Sequence, residues 1–121
     1  MRKPELEFTP VEDVPWTAVD DRIPGLSERI LARDGDTPVA TRMLKFAPGT
    51  GTSVMGTQIH DFWEEVYILS GELHDLVLGE TFPEGTYACR PPGMRHGPWV
   101  STPGCVTFEV RYPVYPGDAP A

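Results

Sequence analysis

Two histidines and a glutamate carry the reactive character of this 121-residue chain. Gln58, His60 and Glu64 stand at even positions with Val66 and Ile68, and side chains two apart on an extended strand share a face. If Val66 and Ile68 face an apolar interior, Glu64 faces it too. His60 joins them provided that Asp61 to Trp63 keeps the parity. His96 arrives on another strand, after a Pro91-Pro92-Gly93 turn that aims it inward. An imidazole or carboxylate inside an apolar barrel is costly unless paired or bound to a cation. Two imidazoles and one carboxylate converging in such a cup suit Fe(II), Mn, Ni or Zn with open coordination positions.

The elements that must position these groups read as short strands. Val39 to Ala47 alternates, with Ala40, Arg42, Leu44 and Phe46 on one face. Thr57 to His60 is short and extended. Glu65 to Leu69 and Glu72 to Leu78 are predicted as a hairpin about Ser70-Gly71. Gly85 to Arg90 is a strand, and His96 to Val100 with Val106 to Tyr112 forms the last pair. Leu26 to Arg33 is a strand or one helical turn, and a short strand is placed near Glu7 to Val11. Twelve glycines and fourteen prolines, nearly twice the average share, favour turns over long helices. The pattern predicts an all-β, antiparallel sandwich or barrel in a single domain. Residues 1–25 read as an N-terminal arm placed against a neighbouring subunit, 26–112 as the barrel and 113–121 as a flexible tail.

Composition excludes several classes. A net charge of -8 disfavours nucleic acid and anionic membrane surfaces. Arg2 and Lys3 have no apolar segment behind them, and no run approaches the length of a membrane helix, so a cytoplasmic protein is expected. Cys89 and Cys105 are expected as buried free thiols. Without a second cysteine pair there is no structural zinc knuckle. Serine-nucleophile elbows, phosphate-binding loops and paired-carboxylate glycosidase patterns are absent. Chemistry at a metal in an open cup remains.

The chain resembles a small single-domain cupin, an RmlC-type jelly roll. The family's first motif is G-x5-H-x-H-x3-4-E-x6-G, and Gln58-x-His60-x3-Glu64-x6-Gly71 keeps its spacing with Gln58 in the leading His position. The second motif, G-x5-P-x-G-x2-H-x3-N, is met by Gly85, Pro91, Gly93 and His96, with Val100 in place of Asn. The stretches Glu64 to Gly71, Phe82 to Tyr87 and Pro91 to Trp99 are most similar to the ChrR-like branch. That branch includes an anti-sigma factor's zinc-binding cupin half and the 2,4'-dihydroxyacetophenone dioxygenases. The resemblance implies a jelly-roll barrel, often a homodimer, with a divalent metal (Fe, Mn, Ni or Zn) on His60, Glu64 and His96. It makes Gln58 a weak fourth ligand through its carbonyl oxygen, or a donor to bound oxygen. A decayed, metal-free site is the other reading of Gln58.

Arg42 either points into the cup to orient an anionic substrate group or stands at the rim paired with an acid. Phe62, Trp63, Met94, Trp99 and Phe108 are candidates for an aromatic substrate pocket, although most aromatics in a β-sandwich are core. His74 reads as a surface group or a neighbour of the ligands. The expected function is a metal-dependent enzyme acting on a small carbonyl, enol or phenolic substrate, with dioxygenase-like C–C cleavage implied by the resemblance. A non-catalytic sensor cupin, or a lyase, isomerase or cyclase on the same site, stands beside it.

Overall fold

The computed structural model describes residues 2–118. Among them run nine strands: β1 (Thr17–Ala18), β2 (Leu26–Arg33), β3 (Ala40–Phe46), β4 (Thr50–Gly51), β5 (Trp63–Asp75), β6 (Glu80–Pro83), β7 (Tyr87–Arg90), β8 (Trp99–Ser101) and β9 (Cys105–Tyr112). All pairings are antiparallel, in the order β1-β2-β3-β9-β5-β8-β4, with β6 and β7 also on β5. There is no α-helix among the described residues, only 3-10 turns at Val11–Asp13 and Ser53–Met55. This is the jelly-roll barrel that the strand pattern and the resemblance predict.

The central device is β5. Its first part pairs with β7 and β9, and its last residues pair with β6 and β8. The register with β9 shifts between Ile68 and Ser70. Accordingly the buried residues change parity: Glu64, Val66 and Ile68 before the bulge, Leu73 and Asp75 after it. The hairpin expected at Ser70-Gly71 is therefore corrected: the strand runs through. Gly71 serves close backbone approach rather than reversal. Its φ is +76°, and a Cβ there would lie 1.9 Å from the Gly104 carbonyl oxygen. The reversal comes at Leu76 to Gly79, where the Asp75 carboxylate accepts from the Val77 and Leu78 N–H groups. It leads into β6, which the sequence pattern missed.

Two further expectations are corrected. The segments read as a last pair do not pair with each other: β8 lies between β4 and β5, and β9 between β3 and β5. No strand forms near Glu7 to Val11. The core is Ile23, Leu26, Leu44, Phe46, Ile68, Leu73 and Cys105, with Trp99 and Phe82 packed against it. Both cysteines are free, and Cys105 is buried as expected, but Cys89 is exposed on the outer face of β7.

Within residues 1–25, β1 pairs with β2. The Arg2 N–H and Lys3 Nζ reach Asp34 and Thr41 of the same chain. Trp16 lies 4.4 Å from both the Arg29 guanidinium and Lys45 Nζ. Of the expected 113–121 tail, residues 119–121 lie outside the described residues. Asp118 is tied to the barrel, accepting from Trp63 Nε1 at 3.0 Å.

Candidate metal centre

Glu64 is the second residue of β5, and its parity turns it inward, where it is 3% exposed. His60 sits in the loop before β5 and His96 in the loop before β8. Backbone hydrogen bonds join these loops: the Gln58 N–H donates to the His96 carbonyl at 2.7 Å, and the His96 N–H donates back at 3.0 Å. The Gly93 N–H donates to the His60 carbonyl at 2.8 Å. The Pro-Gly turn thereby delivers His96 beside His60, with ring centroids 4.9 Å apart. One nitrogen of each histidine and a Glu64 oxygen all lie within 4.8 Å of one another.

The protonation states suit cation binding. Burial, and then the charge of Arg90, push His96 down to about 3. Burial also lowers His60, against the pull of Glu64. Both shifts favour the neutral ring, the form that can bind a cation. Burial alone would raise the Glu64 carboxyl, but the charge and hydrogen bond of Arg111, with Arg42 and Arg90, outweigh it and hold it ionised. The most direct sign of fit is His96 itself. Both of its ring nitrogens are buried and neither has a hydrogen-bond partner. Buried imidazole nitrogens without partners have lost their water without replacement, and a cation held with His60 and Glu64 would partner one of them.

Sequence parity missed the ion-pair lattice around this cluster. Arg111 Nε donates to one Glu64 oxygen at 2.9 Å, and Arg90 donates to the other at 3.2 Å. Arg42 bridges Glu109 and Glu28 at 2.8 Å each. The Thr107 hydroxyl donates to Glu109 at 2.7 Å. The alternation Thr107-x-Glu109-x-Arg111 on β9 carries the same signal as Glu64-x-Val66 on β5, and would have revealed two members of the lattice. Glu28 and Arg90 have no comparable signature.

Arg42 thus faces the cup, with its guanidinium committed to two carboxylates. Gln58 lines the cup as well, but its amide nitrogen donates to the Met55 carbonyl at 3.2 Å, leaving Oε1 as the end available to a cation. Phe62 is buried and stacks on His60 at 4.5 Å. Trp99 lies 6.3 Å from His96 and lines the cup. Trp63 and Phe108 are corrected: by parity they lie on the outer face, Trp63 stacked on Tyr112 and Phe108 36% exposed. Met94 is also absent from the cup and lines a neighbouring cavity. His74 is a surface group bonded to Thr81. The cup itself encloses about 280 Å³.

Comparison with known proteins agrees with this architecture. The model of the ChrR cupin-like domain family matches residues 5–115. No curated protein sequence matches the chain. An RmlC-like cupin from Shewanella frigidimarina NCIMB 400 superposes with a TM-score of 0.71 at 21% identity, covering 96% of this chain and 97% of that one. An acetylacetone dioxygenase from Acinetobacter johnsonii gives 0.71 at 13% identity, over 96% and 83%. The anti-sigma factor ChrR, in complex with SigE of Rhodobacter sphaeroides, gives 0.59 at 20% identity, over 81% of this chain and 48% of that one. Identities this low carry fold and not activity. No helix among the described residues is long and apolar enough to cross a membrane.

Proposed function

The chain belongs to the ChrR cupin-like family, and from that premise we propose that it is a metal-dependent enzyme acting on a small carbonyl, enol or phenolic compound, by dioxygenase-like C–C cleavage. The observation that carries the reading is His96, whose two ring nitrogens are buried without a hydrogen-bond partner, one of them within 4.8 Å of ligand atoms of His60 and Glu64. His60, Glu64 and His96 hold the metal, with Gln58 Oε1 as a weak fourth ligand. When bound, the metal supplies Lewis acidity and, if it is iron, redox chemistry toward dioxygen.

The chain's own residues set the rest. Arg111 and Arg90 fix the orientation of the Glu64 carboxylate and offset its burial. Arg42, neutralised by Glu28 and Glu109, stiffens the floor of the cup. Orienting an anionic substrate group, expected of Arg42, falls to Arg90, whose one salt bridge leaves N–H groups to spare. Phe62 and Trp99 keep water from the histidines. The protein acts in the cytoplasm as a homodimer.

A sensor reading is favoured by the family match and by the fold likeness to ChrR, which in that complex meets a protein partner. An oxygen electrode separates the two. Iron-loaded protein with 2,4'-dihydroxyacetophenone is expected to consume oxygen, and His96→Ala to consume none. Saturable binding without oxygen uptake by any enolisable or hydroxyaryl ketone favours the sensor.

A further inference from the structure

A second cavity, of about 360 Å³, adjoins the metal cup. Val66, Ile68, Leu73, Phe82, Ala88 and Trp99 line it. Its size falls within the range of small-molecule sites, and its lining is apolar as such sites require. Val66, Leu73, Arg90, His96 and Trp99 line both this chamber and the cup, and Arg90 and His96 are the polar members of that shared wall. Arg90 lies 5.1 Å from the Trp99 ring and spends one nitrogen on Glu64. The chamber therefore has an apolar body and a polar floor, and that floor is the edge of the His60/Glu64/His96 cluster.

The chamber's mouth is largely apolar, with Arg95 and Thr86 also on its lining. Val77 and Leu78, from the β5–β6 turn, are 70% and 63% exposed, and Tyr87 on β7 is 59% exposed. Met94 completes the rim. One oxygen of the Asp75 carboxylate, which also lines the chamber, accepts from the Val77 and Leu78 N–H groups and is held by the turn.

We propose that this chamber seats the apolar body of the substrate, an aryl or long alkyl group, while the oxygenated head meets Arg90 and the His60/Glu64/His96 cluster. The proposal rests on the enzyme reading above, but its test does not need metal. It names the substrate class: aryl ketones and phenols rather than compact diketones or sugars, because only a flat or extended apolar body removes this surface from water.

The test uses acetophenone and acetone as probes, titrated into metal-free protein and followed by NMR at the Ile68 and Ala88 methyls and the Trp99 indole N–H. Acetophenone is expected to shift all three saturably and to bind at least about tenfold tighter than acetone, as burying a phenyl ring implies. Ala88→Leu fills the chamber opposite Val66 and is expected to weaken acetophenone about tenfold while metal uptake stays at the parent level. Should that variant fold poorly, Leu78→Asp at the exposed mouth is expected to weaken it severalfold. Equal affinity for the two probes, shifts elsewhere, or unchanged affinity in a folded chamber variant would overturn the proposal. Failure of metal uptake with the acetophenone response intact would instead count against the enzyme and leave the chamber as a binding site.

Discussion

Glu64 has to satisfy two demands at once. It is buried, and a buried carboxylate is stable only when paired. Yet a ligand must keep a lone pair for the cation. Arg111 and Arg90 take one lone pair on each oxygen and leave the others, which lets one side chain do both. Glu109 shows the same economy, held by Arg42 and Thr107. Asp34 and Asp75 are buried outside this lattice, each held by hydrogen bonds from its own turn, and Cys105, in the apolar core, shows what burial does to a lone titratable group. Burial, and then the charge of Glu109, push its thiol up to about 11 from 9.0. A thiol whose folded pKa is raised favours the unfolded state where only the unfolded state ionises. Stability from this group is thus complete below about pH 9 and is lost as pH rises toward 11. Urea melts across that window are expected to show a fall that shrinks in Cys105→Ala. At pH 8, exposed Cys89 is expected to react with Ellman's reagent and Cys105 only in denaturant. A fall of equal size in the variant would refute the assignment. At this scale His60, Glu64 and His96 were legible because alternation and a Pro-Gly turn are local. Arg90 was not, because its role depends on where β7 meets β5, and no local pattern states that pairing.

Among the elements, β5 decides the architecture. A single strand leaves one sheet and enters the other, and the parity switch at its bulge puts Glu64 in the cluster with His60 and His96, and Leu73 in the core. Gly71 makes the bend possible. Gly71→Ala meets a left-handed φ and a backbone carbonyl that cannot give way. We expect it to cost more than about 3 kcal/mol in chemical denaturation, or to abolish folding. A loss under about 1 kcal/mol would show that β5 can bend without it. Sequence reading took Ser70-Gly71 for a hairpin because glycine signals reversal and bulge with the same residue. The distinction lies in the Gly104 backbone, thirty-three positions along the chain. The same remoteness hid the partners of β8 and β9. Their existence followed from composition, but their neighbours followed from loop closures that no local pattern records.

In the whole molecule, the barrel holds two adjoining compartments that share a wall of Val66, Leu73, Arg90, His96 and Trp99: a polar cup with the His60/Glu64/His96 cluster, and a largely apolar chamber open between the β5–β6 turn and β7. Fold class and family were legible because two motifs and a run of turns span most of the chain. The division into compartments was not, since Phe62, Trp63, Met94 and Phe108 look as suitable for the cup as Trp99 until the register is known. The account stands on the three ligands. Elemental analysis by plasma mass spectrometry, on untagged protein beside His96→Ala, tests them most directly. About one equivalent of iron, manganese, nickel or zinc in the parent, and under about a tenth in the variant, is the predicted result. Less than about a tenth of an equivalent in the parent after all four metals are added back, or equal metal in parent and variant, would contradict it.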